Sequence, residues 1–382
     1  MMWVGMTQLP SPYPYIEQKS DRAVVTYRIR TVRSDFYSIE NCSNCHEFVK
    51  RKRTNFAIER SSIFYGGYKM ILLSLNPLAL LRAMPGACAQ GLIWGIMALG
   101  VYITFRLLDF PDLTVDGTLA TGGAVAVMLI RAGVNPWVSL IVSFAVGMLA
   151  GMITGLLHTG LGIPGILSSI LTQISLYSIN LNIMGKSNQA INVDQYKLVV
   201  SLRYISGDAL TKFKFYGGVT LGCLILVMIM YCYFGTEQGQ AIRATGCNMS
   251  MAKAQGINTN FHTVLALMIS NGLVGLCGGL YAQYQGAADV NMGRGAIVIG
   301  LADVIIGEVL FGKFCVRRKS AFAFTMISVI LGAVLYYIVI AFVLWLKMPS
   351  DDMKLFSAIV VAIFLSIPYL KSKYGKKGVT RQ

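Results

Sequence analysis

The chain has 382 residues, of which 55% are apolar and only 13% charged, with a formal net charge of +16 and a mean hydropathy of +0.60. Soluble domains carry about 25% charged residues; here residues 1–69 hold 11 Lys/Arg and 6 Asp/Glu, the tail from Lys371 holds 5 Lys/Arg, and the 289 positions from Arg82 to Leu370 hold only 17 basic and 11 acidic residues. That distribution excludes a disordered chain, a secreted disulfide scaffold and a typical soluble enzyme, and implies an integral membrane protein.

Residues 1–69 form a polar, basic N-terminal extension, and Met70 opens the first apolar run, MILLSLNPLALL. The extension holds Cys42-Ser43-Asn44-Cys45-His46, the C-x-x-C-H spacing of covalent haem attachment. Attachment requires export, and the first 20 residues carry no apolar signal-peptide run. The expectation is a fortuitous match, with no cofactor and no metal.

A membrane-spanning helix needs about 20 apolar residues. Stretches of that order cover 86–107, 113–130, 135–157, 161–184, 216–234, 262–283, 321–346 and 355–370, with a short one at 296–311. They are too long and too uniformly apolar for barrel strands. The expected fold is all-α, a polytopic transmembrane helix bundle of about 8–10 membrane segments including one or two short or broken helices. It occupies 70–370, followed by a basic cytoplasmic tail over 371–382.

The segment 312–320 and the tail are basic, so both are expected in the cytoplasm. Counting back places 235–261 in the cytoplasm, 185–215 outside, and the stretch before residue 86 outside. The last assignment conflicts with the cluster Lys50-Arg51-Lys52-Arg53. Two readings remain open: one segment does not fully span, or the working protein starts at Met70 and 1–69 is not part of it.

Gly147, Gly151 and Gly155, and then Gly272, Gly275, Gly278 and Gly279, crowd two segments. This spacing lets helix backbones pack closely in lipid, with pore lining as the alternative. Gly307 to Lys313 fits the first seven positions of a phosphate-binding loop, but Phe314 stands where Mg²⁺ coordination needs Ser or Thr. The chain is not expected to hydrolyse ATP, and no catalytic Ser–His–Asp or His–carboxylate set is evident.

Charge inside apolar segments is expensive and marks helix ends, partners or a substrate route. Asp116, Asp303 and Glu308 lie in such segments, and both of their stretches are rich in glycine, a pattern of interrupted helices. A polar stripe follows in 161–184, with Ser168, Thr172 and Ser175 on one face and Ser169, Gln173 and Asn180 on its neighbour. Asp116, Thr172, Gln173, Asn271, Asp303 and Glu308 are the candidate pathway or helix-break residues, with helix–helix bonding as the alternative role.

The loop 235–261 reads GTEQGQAIRATGCNMSMAKAQGINTNF. Its helix formers are interrupted at Gly246 and Asn248 and end at Gly256-Ile257, which predicts two short helices lying across the membrane surface. Here the chain resembles the permease subunits of bacterial ABC importers, in the branched-chain amino-acid and ribose type of family. The resemblance rests on Gly239 to Gly246, Ala252, Ala254 and Gly256-Ile257-Asn258, on Gly91 to Gly100, on Asp112 to Gly117, and on Asn291 through Phe311.

The resemblance covers about 85–370 and implies a translocation pathway without its own motor. Its implied partners are a cytoplasmic ATP-binding-cassette ATPase subunit, an extracytoplasmic substrate-binding protein and a second permease chain, identical or not. The small-molecule substrate is expected to be an amino acid, the location the bacterial inner membrane, and nucleic acid is not expected. Gly239, Ala241, Arg243, Ala244, Gly246, Ala254, Gly256 and Ile257 belong to the loop that would couple to the ATPase. The segment 185–215, with Lys186, Asp194, Lys197, Arg203 and Asp208, would face the binding protein. The runner-up is a stand-alone secondary transporter or channel, with Asp116, Asp303 and Glu308 supplying its ion site.

Overall fold

The computed structural model describes residues 77–193, 196, 198–201, 209–315 and 321–345, with scattered positions between 355 and 366. The extension 1–69 with Cys42, Cys45 and His46, the loop residues Asp194, Lys197, Arg203 and Asp208, the basic run 317–319, most of 355–370 and the tail 371–382 lie outside the described residues.

The described chain is helical almost throughout. It comprises α1 (Pro77–Tyr102), α2 (Thr114–Arg131), α3 (Pro136–Thr159), α4 (Gly165–Met184), α5 (Ala209–Gly235), α6 (Glu237–Cys247), α7 (Met249–Ala254), α8 (Thr259–Gln285), α9 (Ala296–Cys315) and α10 (Ala321–Trp345). A π-helical turn, Ile103–Leu107, extends α1. Six of the described helices are long and apolar enough to cross a membrane: Ala83–Leu107, Pro136–Thr159, Gly165–Met184, Phe215–Gly235, Thr259–Gln285 and Ala321–Trp345. Two strands, β1 (Asn188–Ala190) and β2 (Ala287–Asp289), pair antiparallel with Asn188 opposite Asp289.

Local sequence sets the helix ends. Asn135, Asn248 and Asn258 begin α3, α7 and α8, each accepting a bond from the backbone N–H two or three residues on. Gly185 and Gly286 close α4 and α8 in the left-handed conformation that glycine adopts without steric cost. Two expectations are corrected. α1 runs through Pro85 and starts at Pro77, ahead of residue 86. The segment beginning at 296 is not short: it continues to Cys315 as a helix of 20 residues. The three-residue strands have too little sequence to announce themselves.

α8 lies at the centre, packed against α1, α2 and α3. The glycine runs explain how. A Cβ at Gly147 or Gly151 of α3 would collide with the carbonyl of Asn271 or Leu267, and one at Gly122 of α2 with that of Gly275. From the other side, a Cβ at Gly278 would strike the Leu119 carbonyl. The packing role expected of both runs is what the backbone shows. Gly91 and Gly95 of α1 lie in the same way against Val334 and Ile330 of α10, and Gly307 of α9 against Ser328.

Adding a side chain at these crossings forces the helices apart, and overpacking costs about 1–3 kcal/mol even where the backbone can shift. Gly122→Leu and Gly278→Leu should each sharply lower the yield of monodisperse protein in detergent. Gly217→Ala, where a Cβ meets nothing within 4 Å among the described residues, should leave it unchanged or gain up to about 1 kcal/mol in helix propensity. Equal yields across the three variants would contradict the packing account.

Candidate translocation site and coupling loop

The start of α2 is tied down by buried polar groups. Asp112 accepts a bond from the Thr114 backbone N–H through Oδ1 (2.9 Å) and from the Asn271 side-chain amide through Oδ2 (2.7 Å). Asn271 accepts the Thr118 hydroxyl at 2.8 Å and donates to the Leu267 carbonyl at 3.1 Å. Thr114 meets Thr154 of α3, hydroxyl to hydroxyl, at 2.9 Å. All five side-chain-bearing residues Asp112, Thr114, Thr118, Thr154 and Asn271 are fully buried. Asn271 does not break α8, which is continuous around it; it joins α8 to the start of α2.

One turn further on, the Asp116 carboxylate accepts the backbone N–H of Gly295 through Oδ2 and of Ile297 through Oδ1, both at 3.0 Å. It thereby caps α9 from another helix, where unpaired N–H groups and the helix dipole favour negative charge. Gly293 lies against the Asp116 backbone carbonyl so closely that a Cβ there would overlap it. The two glycine-rich stretches singled out by their acidic residues therefore meet, at Asp116 and the start of α9.

Asp116 also borders a cavity of about 270 Å³ between α2, α4 and the turn before α9, lined further by Gln173, Tyr177, Asn180, Val290 and Arg294. Gln173, Tyr177 and Asn180 follow i, i+4, i+7 and share one face of α4. Asn180 is 1% exposed, and neither its amide nitrogen nor its oxygen has a hydrogen-bond partner among the described residues.

The other candidates lie elsewhere. The Thr172 hydroxyl bonds the Ser168 carbonyl of its own helix at 3.0 Å. Glu308 pairs with Arg106 of the π-helical turn, Nε to Oε1 at 3.0 Å, in an exposed position. Asp303 is fully buried where α9 crosses α10 at Gly332, and neither carboxylate oxygen has a partner among the described residues. Asp112, Tyr177 and Arg294 were not among the sequence candidates. The spacing of Tyr177 from Gln173 was the available signal, hidden because an aromatic in a membrane helix reads as lipid-facing.

The loop 235–261 forms the two expected short helices, α6 and α7, divided at Asn248. α6 is fastened to the bundle. Ile242 is fully buried, Gly246 lies against the backbone of Leu107 and Leu108, Gly239 lies against Phe234, and the Arg243 guanidinium sits 4.8 Å over the Phe322 ring of α10. α7 is open: Met249 and Met251 are 44% and 62% exposed, and Ala254 is exposed. Ala241, Ala244 and Ile257 are half-buried, and Gly256 ends α7 at φ +80°.

Residues 85–368 match the family described as branched-chain amino acid transport system, permease component. The chain belongs to that family. The permease is 39% identical to the tyrosine transport system permease protein of Clostridioides difficile (strain R20291), over 72% of this chain and 88% of that one. It is 31% identical to uncharacterized protein RP368 of Rickettsia prowazekii (strain Madrid E), over 73% and 95%. It is 23% identical to the fructose import permease protein FruF of Bifidobacterium longum (strain NCC 2705), over 66% and 68%. It is an ABC-importer permease, a multi-pass protein of the bacterial inner membrane.

Removing the Asn271 amide takes the donor from Oδ2 of the buried Asp112 carboxylate, while Thr118 keeps its bond to the Thr114 carbonyl, at a cost of about 1–3 kcal/mol. Asn271→Leu should lower the melting temperature of the detergent-purified permease far more than Thr172→Val, which breaks only a bond within one helix. Similar melting temperatures would remove Asp112 and Asn271 from their structural role.

Proposed function

We propose that this permease forms the translocation pathway of an importer for an amino acid. It would take its cargo from an extracytoplasmic binding protein and be driven by a separate ATP-binding-cassette ATPase, with two permease chains enclosing the pathway. The observation that carries the cargo assignment is the 39% identity, over 88% of its length, to a permease named for tyrosine; the relative named for fructose is much more distant, at 23%.

The coupling assignment rests on the shape of α6 and α7. A short helix presenting Met249 and Met251 suits a groove on a partner, since flexible methionines adapt to the surface they meet. α6 behind it is fastened at Ile242, Arg243 and Gly246, so a displacement of the loop moves the ends of α1 and α10 with it. At the opposite end, a polar depression bounded by Arg131, Lys186 and Asn192 beside β1 is the surface offered to the binding protein.

Affinity capture of the tagged chain from native membranes in mild detergent tests the assembly. An ATPase with an intact phosphate-binding loop should come down with it. A chain that comes down alone, and moves solute in liposomes without ATP, would make it a secondary transporter. Arg243→Glu and Gly256→Trp should insert normally yet abolish transport-coupled ATP turnover. Any L-residue at Gly256 also carries about 1–2 kcal/mol of left-handed strain. Normal coupled turnover in both variants would remove the loop from its coupling role.

A further inference from the structure

The cavity beside Asp116 contains the groups that an α-amino acid needs, and few others. Its opposite charges come from two separate parts of the chain. Asp116 stands on α2, and its two oxygens accept backbone N–H groups at the start of α9 without using all of their lone pairs. Arg294 stands in the turn before α9, exposed and with no ion pair among the described residues. Between them, α4 supplies the Gln173 and Asn180 amides and the Tyr177 ring. Asn180 is the decisive member: it is 1% exposed, it lines this cavity, and both polar atoms of its side chain lack a partner among the described residues. Buried amides are nearly always hydrogen-bonded, so an orphaned one at a cavity wall marks the place of a polar ligand.

The geometry points to this cavity as a transient binding station for a zwitterionic α-amino acid within the permease itself. Arg294 takes the carboxylate, Asp116 the ammonium group, and Asn180 with Gln173 bonds the remaining polar edge, while Tyr177 flanks the side chain. This rests on the amino-acid cargo proposed above and adds the residues that recognise it. The cavity volume of about 270 Å³ lies just under the range of about 300–1,000 Å³ for drug-sized ligands, as suits a smaller molecule. Glycine at position 117 lets α2 approach α4 at the edge of this cavity, because a Cβ there would press on the Gln173 backbone and on Leu176. The Asp116 oxygens also hold the start of α9, so a ligand ammonium on them touches the junction of two helices rather than a passive wall.

The test is binding to the full-length permease in lipid nanodiscs, read as displacement of radiolabelled L-tyrosine. Competitors are L-leucine, tyramine (no carboxylate), 3-(4-hydroxyphenyl)propionate (no amine) and D-fructose. L-tyrosine should bind saturably, and each truncated analogue should compete at least tenfold more weakly. Arg294→Gln should weaken L-tyrosine at least tenfold while leaving tyramine unchanged. Asp116→Asn should show the reverse selectivity, losing discrimination for the amine. Because Asp116 also caps α9 and its variant can fail to fold, Asn180→Leu provides a second probe, with a tenfold loss expected at unchanged melting temperature. If L-tyrosine binds and all three variants bind it as the parent does, the station is wrong and the amino-acid cargo stands. Competition by D-fructose and not by L-leucine would overturn both. An absence of L-tyrosine binding overturns the station, and uptake of labelled amino acids by cells with and without the gene then decides the cargo separately.

Discussion

In lipid, helices gain little by burying apolar side chains against one another, because the acyl chains are as apolar as leucine. What holds α8 against α2 and α3 is contact between backbones, which exists only where no Cβ intervenes. Gly122, Gly147, Gly151 and Gly278 each stand where a side chain would overlap the carbonyl of a neighbouring helix. Close approach lets dispersion act over long stretches of main chain, and it also decides where polar side chains can meet. The Ser143 hydroxyl of α3 reaches the Gly122 carbonyl of α2 at 2.9 Å, and Ser270 of α8 reaches the Gly100 carbonyl of α1 at 2.8 Å.

The same constraint positions the candidate residues around the cavity. With α2 and α8 held so close, Asn271 bridges Asp112 and Thr118 with no water between them. That bridge fixes the first turn of α2, and Asp116 stands in that turn, aimed at the start of α9. α9 gains a partner there, because its leading N–H groups have no partner within the helix and Gly295 before it has no side chain to cap them. Asp116 is thus part of the scaffold and part of the cavity wall at once. A carboxylate that already satisfies a helix end is pre-organised to receive a cation without moving.

Most of the helices were legible because the bilayer enforces a length and an apolar composition that the sequence cannot hide. The crossing points were legible too, since glycine at every fourth position has few other uses in a membrane helix. The division of the loop 235–261 into two helices followed from Gly246, Asn248 and Gly256. The candidate residues were harder. Asp116 and Gln173 border one cavity, but Thr172, one position away, turns its hydroxyl to its own backbone. Glu308 and Asp303, five residues apart on one helix, end up in an exposed ion pair and in a buried crossing. A sequence shows that a charge is costly in lipid; which neighbour relieves it depends on long-range packing. Arg294 illustrates the limit, since a lone arginine in a glycine-containing turn carries no periodic signal.

The contacts offer a continuous mechanical route from the loop to the cavity. α6 grips the backbone of Leu107 and Leu108 through Gly246, and holds α10 through Arg243 and Phe322. The π-helical turn that it grips carries Arg106, which pairs with Glu308 of α9. α9 begins at the backbone N–H groups held by Asp116, on the cavity wall. The links differ in strength. The backbones are in close contact at Gly246, and the Asp116 cap involves charge-assisted bonds, which are about twice as strong as neutral ones. The Arg106–Glu308 pair is exposed, with the arginine side chain 63% accessible, and such pairs contribute about 0–1 kcal/mol. The exposed pair is therefore the weakest of these contacts. It falls where the π-helical turn at the end of α1 meets α9, between a backbone contact on one side and a helix cap on the other.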